Sequence, residues 1–141
     1  MLAKTFTKRL ESWKNLRTSV QSLPLPQALE SINKWWFQTP WKAYHLHWDD
    51  QQTWPDPWQL LDDNIYCGLA RGLGIMYTIV MIDRNDMRDA VLAEIGGDNL
   101  VLVAKEKYIL NWDINEIVNI NLDIEKKSRC VSLYQIQQKL R

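Results

Sequence analysis

A chain of 141 residues with 17 basic and 17 acidic side chains is one domain's worth of sequence, long enough to bury a core without staples. Zero net charge implies no general attraction to nucleic acid or to an anionic membrane, and it suits a subunit held inside an assembly. The two cysteines, Cys67 and Cys130, give neither a disulfide framework nor zinc spacing, no apolar run reaches transmembrane length, and the N-terminus carries no signal-peptide core, so a reduced cytoplasm is the expected setting.

Residues 3–22 read as an amphipathic helix, with Phe6, Leu10, Trp13, Leu16 or Val20, and Leu23 at helical spacing. Its other face is basic: Lys4, Lys8, Arg9, Lys14 and Arg17 stand against Glu11 alone. Leu23-Pro24-Leu25-Pro26 breaks it, and Pro26 suits the first turn of a second helix through Leu29, Ile32 and Trp36 that stops near Thr39-Pro40. Residues 40–56 then read as a long structured loop, of the kind that is functional or covered in a small domain.

Asp56 as N-cap, Pro57 as first residue and Gln59 as the partner of a capping box mark a third helix. Leu61, Ile65, Leu69 and Leu73 repeat along it, Gly68 and Gly72 flatten one side for a close neighbour, and Gly72 and Gly74 supply a stop. Residues 76–82 are β-branched and strand-like, 90–95 form a second strand, and Gly96 to Asn99 a turn. Residues 100–104 and 107–112 read as a hairpin, 114–124 as a short strand or irregular segment, and 132–140 as a last strand or helix. Helices first and an antiparallel meander afterwards is an α+β pattern, with the sheet packed on a central helix. One domain, 1–141, thus divides into an N-terminal helical region 1–39, a Trp-rich loop 40–56, and a helix plus antiparallel sheet over 57–141.

Candidate chemistry is sparse. His45-x-His47-x-Asp49-Asp50 offers nitrogen and oxygen donors, but there is no further histidine, so these side chains are expected to serve loop hydrogen bonds or a partner contact and no metal or cofactor is expected. Cys67, about ten residues into the helix that begins at Pro57, is expected to be a buried structural thiol beyond the reach of the helix dipole. Gly68 to Gly74 is glycine-rich at a helix end, whereas a phosphate loop needs its glycines ahead of one.

From Trp54 to Asp113 the order of motifs resembles the core of bacterial transglutaminase-like proteins, which share the papain-like cysteine-protease architecture. The counterparts are Trp54-Pro55-Asp56-Pro57, a helix closing on Leu73-Gly74-Ile75, the strand Tyr77–Ile82, the strand opening at Asp89-Ala90-Val91-Leu92, and Leu110-Asn111-Trp112-Asp113. The resemblance implies a nucleophile near Gln59, a histidine near Asp89 and a third member at Asn111 or Asp113. No histidine follows Cys67, so a Cys–His pair cannot form in the family's order, and the kinship implies a scaffold without its chemistry. The basic N-terminal helix, Trp35-Trp36-Phe37, Trp54-Pro55-Asp56-Pro57-Trp58 and Tyr108-Ile109-Leu110-Asn111-Trp112 also resemble small proteins of contractile-tailed bacteriophages.

Six tryptophans fall between Trp35 and Trp58, more than one small core needs. The expectation is therefore a non-enzymatic structural component of a phage virion (neck, tail or baseplate), assembled in the host cytoplasm with other virion structural proteins as a hetero-oligomer, with no nucleic acid and no membrane as partner. Contact residues are expected at Trp35, Trp36, Phe37, Trp41, Tyr44, Trp48, Trp54 and Trp58, with Trp36, Trp54 and Trp58 also serving the core. The alternatives are a cysteine-dependent hydrolase or acyltransferase using Cys67 with His45 or His47, and a binding module with an open aromatic groove.

Overall fold

The computed structural model describes residues 2–140. Five helices, α1 (Phe6–Val20), α2 (Leu25–Trp36), α3 (Pro57–Asp63), α4 (Gly68–Ile82) and α5 (Leu133–Gln138), accompany four strands, β1 (Val91–Ile95), β2 (Asp98–Val103), β3 (Tyr108–Leu110) and β4 (Lys127–Ser132). The strands form one antiparallel sheet in the order β3-β2-β1-β4. The architecture is α+β, helices first and then the sheet.

The first two helices lie where periodicity puts them, with Thr5 capping α1 and Pro26 in the first turn of α2. The long third helix does not exist as one piece. Asp56 does cap α3, accepting from the Gln59 N–H at 2.8 Å, but the Gln59 side chain turns to Asp63 and leaves the capping box half made. Asn64 then takes a left-handed conformation and ends the helix. The backbone runs extended through Tyr66, where Tyr66 N–H donates to the Pro40 carbonyl and Lys42 N–H to the Tyr66 carbonyl, and restarts as α4.

The expected strand over 76–82 is the second half of α4. A β-branched apolar run does not by itself separate a strand from a buried helix. Here α4 is buried nearly all round, because β1 and β2 pack on one side and α1, α2, α3 and α5 on the others. Its glycines are spacers, not a stop. A Cβ on Gly74 would overlap the Trp36 ring, and one on Gly72 would lie 2.7 Å from Leu92 of β1. The close neighbour anticipated at Gly72 is thus the sheet.

Polar bonds fix this core as firmly as packing does. Thr78 Oγ1 accepts the indole N–H of both Trp13 and Trp36 at 2.9 Å and donates to the Gly74 carbonyl at 2.8 Å. A hydroxyl has one proton and two lone pairs, so its capacity is used in full. Trp36 also meets Trp13, Trp35 and Tyr66 edge to face.

The sheet is covered on both faces. Leu92, Val101, Val103, Leu110 and Val131 face α4, while Ala93, Ile95, Leu100, Leu102 and Ile109 face Leu122 and Ile124 from the segment between β3 and β4. That segment is irregular, with one 3-10 turn at Ile124–Lys126. β4 has no counterpart among the expected elements. Its residues 127–130 are exposed and charged or small, so they carry no apolar alternation, and only pairing with β1 makes them a strand. α5 is a helix because Ser132 and Gln135 form a complete capping box.

Candidate functional site

The register of the sheet builds a polar floor. Leu92 pairs with Val101 on one side and Val131 on the other; two residues along, on the same face, Glu94 pairs with Asn99 and Arg129. The first rung is apolar and lies under α4. The second, Asn99–Glu94–Arg129, lies past the head of α4 and floors an open cleft of about 560 Å³. Trp41, Tyr44, His47, Trp48, Cys67, Arg71, Asn111 and Trp112 complete its walls.

Cys67 is the N-cap of α4, not a residue inside a helix. Its sulfur accepts from Ala70 N–H at 3.5 Å and from Leu46 N–H at 3.4 Å. The break at Asn64 is what moves the thiol to a helix head. Asn99 stands opposite. Its Oδ1 accepts the Trp48 indole N–H at 2.8 Å, and its Nδ2 lies 3.4 Å from where a Cβ on Gly68 would be.

Asn111, at the end of β3, knits the back of the cleft. It holds a left-handed φ of 74° that asparagine tolerates. Its N–H donates to Asn33 Oδ1 at 2.9 Å, and its Nδ2 donates to the carbonyls of Gly68 and Asn99 at 2.8 and 2.7 Å. Its Oδ1 accepts from Arg71 Nε at 2.6 Å. One buried amide thereby ties α2, α4, β2 and β3 together and aims a guanidinium. Arg71 lies over the rings of Phe37, at 4.0 Å, and Trp41, at 5.4 Å. Burial pushes its pKa down, and the neighbouring Cys67 opposes that shift.

The expected contact residues separate into two groups. Trp35, Trp36, Trp48 and Trp54 are buried by the protein itself, Trp36 completely. Their indole N–H groups are also taken up, Trp35 by Ser12, Trp36 by Thr78, Trp48 by Asn99 and Trp54 by the His47 carbonyl. Helix α2 and the 3-10 turn Trp48–Thr53 turn these rings inward, so Trp35 and Trp48, expected as contact residues alone, serve the core as well. Phe37 is half-buried under Arg71. Trp41 and Tyr44 are exposed, at 61% and 85%, on the rim of the cleft. Tyr44 also has a left-handed φ of 59°, rare for a bulky residue and commonest at functional sites. Trp58, expected to serve the core, is exposed on α3 away from the cleft, since Leu60 and Leu61 take the inward face.

Among the other candidates, His47 lines the cleft and His45 does not. Asp49 is engaged by Arg129 at 2.8 Å, and Arg129 Nε reaches Glu94 at 3.2 Å, so this ion pair pins the Trp-rich segment to the sheet. Among the described residues no three His, Cys, Asp or Glu side chains gather as a metal set would. Gln59 and Asp89 are far from the chemistry the resemblance gave their positions. Gln59 is exposed on the outer face of α3, and Asp89 accepts the Ala104 and Lys105 N–H groups of the β2–β3 turn. Asp113 presents its carbonyl to Asn33 and its carboxylate to Asn115 N–H.

Arg71, Asn99 and Asn33 were missed by sequence reasoning. Arg71 sits in a glycine-rich run that draws attention to its glycines, and Asn99 in a Gly-Gly-Asp-Asn string that reads as a turn. The protein matches no protein-family model, no curated protein and no solved structure.

Proposed function

We propose that this protein acts by binding, as a non-enzymatic component that takes an extended segment of a partner protein into the cleft at the head of α4. The observation that carries the proposal is the open, aromatic-rimmed cleft itself, with Trp41 and Tyr44 exposed over a floor of amides and charges. Exposed rings beside hydrogen-bonding groups are the composition of a peptide-recognition surface. The setting we propose is a phage virion, with other virion proteins as partners, and the resemblance to contractile-tailed phage proteins supports it.

A transglutaminase-like relation is part of the same proposal. A cysteine at the head of a central helix, packed on an antiparallel sheet, supports it. The strand residue beside Gly68, which follows that cysteine, is Asn99, and a carboxamide cannot take a thiol proton as a general base does. This supports a scaffold kept for recognition rather than for acyl transfer.

The test is a photo-crosslinking side chain at Tyr44, with one at Lys8 on the opposite helical region as control, in a particle preparation. Crosslinks from position 44 to one virion protein, mapped to one short segment, are expected. Absence of the protein from purified particles, or equal capture at both positions, defeats the proposal.

A second reading has its own observation. Cys67 caps α4 and shares the cleft with His47, so a thioester-forming acyl transfer with His47 as base is a defined rival. Incubation with p-nitrophenyl acetate distinguishes them: acetylation of Cys67 that vanishes in His47→Ala favours the rival, and no acetylation of Cys67 favours binding alone.

A further inference from the structure

The buried arginines of this protein divide by how their ends are used. Arg9 donates to four carbonyls, those of Ala3, Lys4, Leu61 and Asp62. Arg84 donates to the carbonyls of Val20 and Leu23 and to both oxygens of Asp86. Each is a fully occupied structural tie.

Arg71 is different. Only its Nε is bonded, to Asn111 Oδ1. Its two terminal nitrogens have no acceptor, and no carboxylate pairs with it, among the described residues. Yet the group is half-buried and held on three sides, by Asn111 and by the rings of Phe37 and Trp41. Its terminal nitrogens keep solvent contact through the cleft, so they are free to donate to an acceptor that a ligand brings. The open side of the guanidinium belongs to the cleft.

The neighbouring carboxylates do not supply it. Asp49 and Glu94 are both taken by Arg129. The remaining acid of the lining, Asp98, is exposed and has no ion pair among the described residues. A planar fork with its rear nitrogen anchored and its front pair free matches a planar, two-oxygen anion.

We propose that Arg71 is the specificity anchor of the cleft and that it seats a carboxylate of the bound peptide segment, received by its two free terminal nitrogens between the Trp41 ring and the amides of Asn99 and Asn111. This inference rests on the peptide-docking proposal and names what that peptide must carry. The carboxylate comes either from the C-terminus of the partner or from an acidic side group within it, and both present the same two oxygens.

The experiment is an NMR titration of the full-length protein with five probes: acetate, inorganic phosphate, N-acetyl-trialanine with a free C-terminus, N-acetyl-Ala-Asp-Ala-amide, and N-acetyl-trialanine amide. The Arg71 Nε–H and the Trp41 indole N–H report the site. We expect saturable shifts with the three carboxylate probes and at least about tenfold weaker binding of the amide. Whichever carboxylate peptide binds more tightly identifies the source. Arg71→Gln is expected to abolish the preference for carboxylate. Arg71→Lys keeps the charge but not the fork, and is expected to bind acetate more weakly than the parent. Thermal melts of both variants separate loss of the seat from loss of the fold, and Arg71→Lys carries the test if Arg71→Gln does not fold.

If the amide peptide binds the cleft as tightly as the acids do, the carboxylate inference is overturned while peptide docking stands. Unchanged carboxylate preference in a folded Arg71 variant also overturns it. Inorganic phosphate binding more tightly than every carboxylate overturns it in favour of another anion. If no probe moves a cleft signal, both proposals fall.

Discussion

Neighbouring tryptophans of the run behave in opposite ways. Trp35 and Trp36 end α2 and are locked into the core, Trp36 by three ring contacts and a shared hydroxyl. Trp41, five residues further on, is mostly exposed and lies beside an arginine with unused donors. The difference is not one of residue type. It comes from where the backbone goes: α2 carries its rings against the glycine-flattened side of α4, whereas the segment after Pro40 runs along the head of α4 and leaves its rings at the edge of a cleft. A dense aromatic string in sequence can thus hold a structural anchor and a recognition surface side by side, and hydrogen bonding of the indole N–H separates the buried rings from the exposed ones. Five of the eight tryptophans bond theirs, and the three that do not among the described residues, Trp41, Trp58 and Trp112, are the exposed ones.

The largest effect should come from the core side of this contrast. Trp36→Ala removes a fully buried ring and is expected to cost about 3–5 kcal/mol in denaturant unfolding. Trp41→Ala is expected to stay within about 0.5 kcal/mol of the parent. Similar costs for the two would erase the distinction. Next is Thr78→Val, which keeps the shape but strands the indole N–H groups of Trp13 and Trp36. At about 1–3 kcal/mol for each unmade bond, a loss of roughly 2–6 kcal/mol is expected, and a near-neutral result would show that the shared hydroxyl is incidental.

A pH prediction follows from two core tyrosines. Burial pushes the pKa of Tyr66 up, with Asp63 adding to the shift and Arg9 opposing it; burial pushes Tyr77 up, with Asp56 adding. Their hydroxyls donate to the carbonyls of Leu60 and Pro55. The unfolded state loses these protons from about pH 10 while the folded state keeps them, so the folded state binds more protons and stability falls as pH rises. The contribution is complete below the unfolded value and is lost between it and the folded value. Each tyrosine is expected to add about 1.4 kcal/mol per pH unit to that decline. Urea titrations above pH 10 should show the slope, and Tyr66→Phe should reduce it; an unchanged slope would mean that Tyr66 ionises freely in the fold.

The smallest effect concerns acid. Asp86 has its pKa lowered, first by its hydrogen bonds from Arg84. Its stabilisation is present above the ordinary carboxylate range and fades as pH falls through its folded value. Asp86 is 41% exposed, so solvent screening limits the contribution to less than about 1 kcal/mol. Asp86→Asn should remove only that small acid-side component.

Much of the frame was legible in the residues. The helix-breaking prolines placed α1 and α2, and Asp56-Pro57 placed the start of α3, because caps and prolines act locally. The hairpins of β1, β2 and β3 followed from alternation around turns. The break at Asn64 was not legible, since the apolar repeat from Leu61 to Leu73 continues across it. That one misreading hid the position of Cys67 and turned half of α4 into a strand. β4 was illegible because its exposed residues carry no pattern apart from their partner. The cleft depends on all three, so its members could be named only once the register put Asn99, Glu94 and Arg129 on one rung.

The most direct measurement follows the indole N–H signals of all eight tryptophans while N-acetyl-trialanine with a free C-terminus is added. We expect saturable shifts at Trp41, Trp48 and Trp112, which line the cleft, and none at Trp13, Trp35 and Trp36, which close the core. Shifts confined to the core group, or no saturable shift at Trp41, would contradict a recognition cleft anchored at Arg71.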